Sequence, residues 1–332
     1  MFFSFRNISK NRQQLMGIAG LFIMFCHNSI YLPHWFYNIN FNYLRFLFQI
    51  GVDMFLLFSG LGCYFSLSKS ESVTRFYQKR LLRLFPSYLI FYTIITVAYI
   101  FIDKQSFLQK AYSFSPFSFI ISGDLTLWFI PAICVLYIIS PLIFKIIKWI
   151  NNEIYTLILI LIIYIVAILL QVFSIPYSNI LFLRVPSFLF GMLIGYCEKK
   201  SKTVDLKPFQ SVLLFGVFIV SLFLYFFFTD NKIISSRIIF FPLCVTLTTI
   251  IASLIPKINL KPFRFLGSIT LETYLVHVPL LKITDHLSYK YIHNDLVATW
   301  FSNISAVFIA IVAAFALNKS VKMLFFRGEN RA

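Results

Sequence analysis

The sequence predicts an all-α membrane protein, a polytopic bundle of about ten transmembrane helices with both termini in the cytoplasm. Three observations lead there. Of 332 residues 59% are hydrophobic and only 12% charged, about half the charged share of a soluble domain. The mean hydropathy is +0.83, and apolar runs of about 20 residues, the length a helix needs to cross a bilayer, recur along the chain. Lys and Arg gather in the short segments between alternate runs. A membrane β-barrel would instead show alternating segments of about ten residues, which are absent. The Ile-rich run at 154–170 does not argue for strands either, because in lipid only helices and closed barrels satisfy the backbone.

Taken in order, the expected spans are 15–31, 46–67, 84–102, 126–147, 154–173, 181–197, 211–228, 236–255, 266–283 and 299–317. With the N-terminus inside, 21 Lys and Arg fall on cytoplasmic segments and 6 on outer ones (Lys104, Lys110, Lys232, Arg237, Lys282 and Lys290), while Arg45 and Arg184 sit at or inside outer span ends. That asymmetry sets the orientation, and an even number of spans agrees with it. Short cytoplasmic tails, about 1–14 and 318–332, flank a single integral-membrane domain expected over 1–332. The N-terminus carries no cleavable signal pattern. The longest connection, about 103–125, is Ser- and Phe-rich and is expected to lie over an outer-facing site. No internal repeat is evident, which weighs against a transporter.

The net charge of +17 is explained by topology, so no nucleic-acid partner is expected. Cys26, Cys63, Cys134, Cys197 and Cys244 all fall within spans without metal-ligand spacing. They read as small apolar packing residues, and no metal is expected.

Ionisable residues inside such spans are costly and usually have a purpose. On the first helix Gln13, Gly20 and His27 recur every seven residues and share a helix face. His27 lies roughly 18 Å above Leu15 at 1.5 Å per residue. On the second span Asp53 lies roughly 21 Å above Leu67 by the same rise, at similar depth on the next antiparallel helix. An Asp53–His27 contact would hold the imidazole in one tautomer and support a transient imidazolium; a purely structural role for either residue stays open. Arg80 and Arg83, three apart in FYQKRLLRLFP, share a face, and two guanidinium forks suit a phosphate or pyrophosphate. The plainer alternative is topogenic charge held by anionic headgroups. Trp128 opens the fourth span as an interfacial anchor. Arg184 at the outer start of the sixth either snorkels or meets an anionic or polyhydroxylated acceptor. Glu272 and His277 share the ninth span, and two ionisable groups in one span favour a polar cavity over two isolated structural ones.

In order, these motifs resemble the integral-membrane acyltransferases of acyltransferase family 3: the first-helix His27, GVDxFLxxSG (Gly51 to Gly60), FYxxRxxRxxP (Phe76 to Pro86), WFxxxxxxxYxxxP (Trp128 to Pro141), RxPxFxxGMxxG (Arg184 to Gly195) and LGxITxExYLxH (Leu266 to His277). Each is weak alone; six in order are specific. The resemblance implies transfer of an acyl group, usually acetyl, from cytoplasmic acetyl-CoA to a hydroxyl of a surface or exported glycan or its lipid-linked precursor, in a bacterial cytoplasmic membrane. It implies a catalytic His27 with Asp53 as partner, and Arg80 and Arg83 at the nucleotide end of the donor. Many members carry an arginine eleven residues before the histidine; here that residue is Met16, and the nearest cation is Arg12, expected to reach the donor from below. No esterase-like domain follows the last span, so transfer is expected to finish in the membrane. No residue sets an oligomeric state. A transporter or flippase, or a non-catalytic subunit of a polysaccharide export system, is the alternative reading of the same charges.

Overall fold

The computed structural model describes residues 3–27, 46–69, 72–103, 127–173, 180–200, 205–229, 236–257 and 261–325, with scattered positions between 104 and 126. Pro33, Arg45, most of the expected lid at 103–125 and the last seven residues lie outside the described residues. What is described is helical apart from one isolated bridge, Ser4 to Asp205, as an all-α membrane fold requires. The helices are α1 (Arg6–Lys10), α2 (Arg12–His27), α3 (Ile50–Lys69), α4 (Val73–Asp103), α5 (Phe129–Ile150), α6 (Glu153–Val172), α7 (Val185–Lys199), α8 (Pro208–Thr229), α9 (Phe240–Leu254), α10 (Lys261–Ser268), α11 (Thr270–Tyr291) and α12 (Asp295–Phe325).

Among the described residues, seven segments are long and apolar enough to span a bilayer: α3, α4, α5, α6, α8, α12 and Arg237–Leu254, which carries α9. The three other expected spans map to α2, α7 and α11. Among the described residues α2 has 16 residues and α7 has 15, while α11 has 22 but is interrupted by Glu272, His277, Lys282 and Asp285. These three helices carry, or begin beside, His27, Arg184 and His277.

The helix limits differ from the apolar runs where polar chemistry extends a helix beyond the lipid-compatible stretch. The third span was expected over 84–102, yet α4 starts at Val73 and runs 31 residues through Pro86, so Arg80 and Arg83 ride on the spanning helix itself. Pro86 lacks the N–H that would serve the Leu82 carbonyl. The ninth span was expected over 266–283; instead the chain breaks at Ile269, between α10 and α11. The tenth, expected over 299–317, extends to Asp295–Phe325. There the Asn294 side chain accepts from Val297 N–H at 3.1 Å, a helix-starting contact that hydropathy does not register.

The chain divides into two compact units interleaved along the sequence: Met1–Ile23, Asn42–Val73 and Ile138–Ser268 form the first, and Met24–Phe41, Thr74–Tyr137 and Ile269–Ala332 the second. At the centre of the first unit is α3, 83% buried, whereas α6 and α8 are only 17% and 22% buried and present Ile, Leu and Phe outward. Between helices in lipid there is no hydrophobic drive, so close backbone approach and its dispersion contacts hold them together. Two glycines make that approach possible for α3 and α7. A Cβ at Gly60 would lie 1.9 Å from the Phe188 carbonyl oxygen, and one at Gly191 would lie 2.0 Å from that of Leu57. In the second unit α11 and α12 pair along a seam of Ala298, Ser302, Ala306, Ala310 and Ala314, each buried and four residues from the next. Its outer end is polar: Ser302 donates to Thr284 at 3.2 Å and to Asp285, and Tyr289 meets Thr299. These contacts carry α11 as a helix beyond its expected end.

Gly191→Ala should force α3 and α7 apart, where overpacking costs about 1–3 kcal/mol, and lower the melting temperature of the detergent-solubilised protein by several degrees. Gly216→Ala on α8, where a Cβ meets nothing within 4 Å, should leave the melt unchanged or slightly raised.

Candidate active site

Two clusters of polar side chains emerge, one in each unit. In the first, Asp53 is fully buried on α3. Its Oδ2 lies 3.3 Å from Arg184 Nε, an ion pair whose atoms do not meet in hydrogen-bond geometry. Its Oδ1 accepts from Ser187 Oγ at 3.2 Å. Arg184, 4% exposed, ends the 3-10 turn Phe182–Arg184 that leads into α7, and its Nη1 donates to the Ile180 carbonyl at 3.3 Å. The chain can turn there because Pro186 sits in the first turn of α7, where its missing N–H is not needed. The Asp carboxylate thus balances a guanidinium that its own helix neighbour supplies. The sequence reading gave Asp53 to His27; the described contacts of its carboxylate are with Arg184 and Ser187. Arg184 does not snorkel outward but points into this pair.

Arg12 belongs to the first unit as well. Its guanidinium lies against Gly62 of α3, where a Cβ would come within 2.7 Å of Nη2 and 3.0 Å of Nη1. Met16, one turn on, is half-buried.

The second unit gathers His27, Arg80, Arg83, Trp128, Glu272 and His277. His27 is exposed at the end of α2, and its ring meets that of His277 at 5.1 Å between centroids, inclined by 60°. His277 is 5% exposed. Its Nδ1 lies 2.8 Å from the Tyr274 carbonyl and 3.1 Å from that of Thr273. Carbonyls only accept, so Nδ1 carries the hydrogen and Nε2 the lone pair of the neutral ring. Five residues earlier Glu272, also 5% exposed, accepts from Ser87 Oγ of α4 at 2.8 Å. A row of rings runs on from the histidines: His277 to Tyr274 at 5.9 Å, Tyr274 to Phe129 at 5.2 Å, and Phe129 to Trp128 at 6.0 Å. The Tyr274 hydroxyl accepts from the Phe129 N–H at 3.3 Å, satisfying a donor at the start of α5.

Arg80 lies on the packed stripe of α4 formed by Phe76, Leu84, Tyr88 and Phe91, with its guanidinium 5.3 Å from the ring centres of Phe76 and Tyr137. Arg83 is exposed. Stacking on two aromatic faces orients the guanidinium, which suits an anion-binding fork. Among the described residues no three His, Cys, Asp or Glu side chains come together as a metal site needs.

Ser87, Ser187 and Tyr274 were not singled out from the sequence. Ser187 and Tyr274 sit inside the RVPSF and ETYLVH motifs, and a hydroxyl within an apolar span was the available signal. For Ser87 the only cue is its place after Pro86. A family model described as an acyltransferase domain matches residues 15–319. No curated protein and no solved structure matches the chain.

Asp53→Asn should remove the carboxylate from its buried ion pair with Arg184 and destabilise the protein by about 3–5 kcal/mol. Asp53→Leu combined with Arg184→Met removes both charges and should recover most of that loss, read as the thermal melt in detergent.

Proposed function

The chain belongs to acyltransferase family 3, and from that premise we propose that it is an O-acyltransferase of a bacterial cytoplasmic membrane. In this reading it moves an acetyl group from cytoplasmic acetyl-CoA to a hydroxyl of a cell-surface or exported polysaccharide, or of its lipid-linked precursor. The observation that carries the reading is the grouping, within one compact unit, of His27 and His277 with the guanidinium of Arg80.

Arg80, oriented by its two rings, and the nearby exposed Arg83 take the donor's phosphates by charge-assisted hydrogen bonds. Ser87 lies about 10 Å outward from Arg80 along α4, and His277 about 7 Å outward from Glu272 along α11, at 1.5 Å per residue. Since Ser87 and Glu272 touch, the histidines lie roughly 18 Å from the phosphate end by that rise if both helices run outward. A donor held by its phosphates at the cytoplasmic side would thus present its thioester well inside the membrane unit. There the acceptor oxygen bonds to the acyl carbon, the C–S bond breaks, and the thiol leaves with a proton. His27 serves as general base on the hydroxyl or as transient acyl carrier.

O-acetyl content of the surface glycan, measured by NMR, tests this. Deletion of the gene should remove the acetyl signal, and His27→Ala should lower transfer about 10²–10⁴-fold, the share a positioned base or nucleophile supplies. Arg80→Ala should raise KM for acetyl-CoA about ten- to a hundred-fold, as loss of hydrogen bonds to a charged group does, with kcat less affected. An unchanged glycan in the deletion strain sinks the enzymatic reading for that glycan. Substrate movement that survives His27→Ala without acetyl-CoA consumption would favour a transporter.

A further inference from the structure

One buried atom is used by none of these contacts. Nε2 of His277 is buried and, among the described residues, has no hydrogen-bond partner. The ring cannot present Nδ1 instead, because Nδ1–H is committed to the carbonyls of Thr273 and Tyr274. A lone pair is therefore held inside the second unit, beside the His27 ring, with no donor on it among the described residues. Leaving a buried acceptor unmet is costly, and the ring is locked so that only Nε2 is available. What would satisfy it is an O–H or N–H donor brought from outside.

We infer that His277 is the base of the transfer step: its Nε2 takes the proton of the acceptor hydroxyl while His27 carries the acyl group. The inference rests on the acyl-transfer reading and assigns the two roles that reading leaves joined in His27. Space decides the assignment. His27 is exposed and has room for an acyl group on its ring. His277 is buried, Nε2 included, which leaves no room for an acyl group on its ring but allows a proton. In the first step a His27 nitrogen bonds to the thioester carbonyl carbon, the C–S bond breaks, and the thiolate departs. In the second the hydroxyl oxygen bonds to that carbon, the C–N bond to His27 breaks, and the hydroxyl proton passes to His277 Nε2. The resulting imidazolium keeps its Nδ1–H on two carbonyl oxygens, which stabilise the positive ring. The proton then passes to the thiolate or to water, restoring both rings.

Asn and Gln separate the two nitrogens. His277→Asn keeps an amide N–H near the place of Nδ1, and with it the contacts to Thr273 and Tyr274, but has nothing at Nε2. His277→Gln places an amide near Nε2 that is no base. The full-length protein in nanodiscs is given [¹⁴C]acetyl-CoA, first alone and then with surface glycan from the producing cells after alkaline de-acetylation. The wild type should retain label on His27 without glycan and release it with glycan, and His27→Ala should retain none. Both His277 variants should take up label as the wild type does, with a melt within a few degrees, and transfer it at least a hundred-fold more slowly. Added imidazole should speed transfer in His277→Asn. Near-normal transfer in either variant overturns the proposal. So does loss of labelling together with transfer, which would make His277 a positioning residue for His27, and so does a wild type that transfers without ever holding label. A wild type that neither holds label nor transfers brings down the acyl-transfer reading itself, and this proposal with it.

Discussion

An ionisable side chain costs about 2.5–3.5 kcal/mol to place at the centre of a membrane helix on insertion scales, and that constraint shapes the described structure. Each such group deep in the chain meets a specific partner. Asp53 faces Arg184 and Ser187, Glu272 takes the Ser87 hydroxyl, and the His277 ring is tied to two carbonyls of its own helix. The cost also appears in the helices themselves. Among the described residues, α11 is an expected span interrupted by ionisable groups, Glu272, His277, Lys282 and Asp285, so there the chemistry is bought with apolarity. Helices that bind lipid weakly must be held by neighbours, which α3 does for α7 and α12 does for α11.

The two units solve that problem differently. In the first, backbone meets backbone, with glycines on α3 and α7 letting carbonyl oxygens touch the opposite helix. The Asp53–Arg184 ion pair then ties the register of α3 to the start of α7, since sliding one past the other would separate the two charges. In the second, alanines form the close seam, and hydroxyls and aromatic rings do the rest. That second unit places the His277 ring beside His27.

The helical fold was legible because hydropathy reports a backbone that has to bond to itself in lipid. Helix ends were less legible: Asn294 starts α12, and Ser302 with Thr284 and Asp285 prolongs α11, through side-chain hydrogen bonds that an apolar run does not encode. Residue types for the site were legible one by one, since a histidine or arginine within an apolar stretch stands out. Partnerships were not. Matching depth on consecutive helices suggested Asp53 for His27, but depth says nothing about azimuth, and it gave no sign of the described contacts of the Asp53 carboxylate with Arg184 and Ser187 at the start of α7. Nor does any spacing reveal that Nδ1 of His277 bonds to carbonyls three and four residues back, which decides which nitrogen is available.

The contact between Arg12 and Gly62 carries a consequence for how such a chain is free to vary. The guanidinium fills the volume a β-carbon would claim at position 62, so the two positions are one steric unit shared by α2 and α3. A methyl group at 62 requires the guanidinium to swing aside or a shorter residue to replace it. Among related chains, residues 12 and 62 should therefore covary: glycine with arginine, larger with smaller. Inheritance, rather than the bench, would then keep a record of which helix face the cation rests upon.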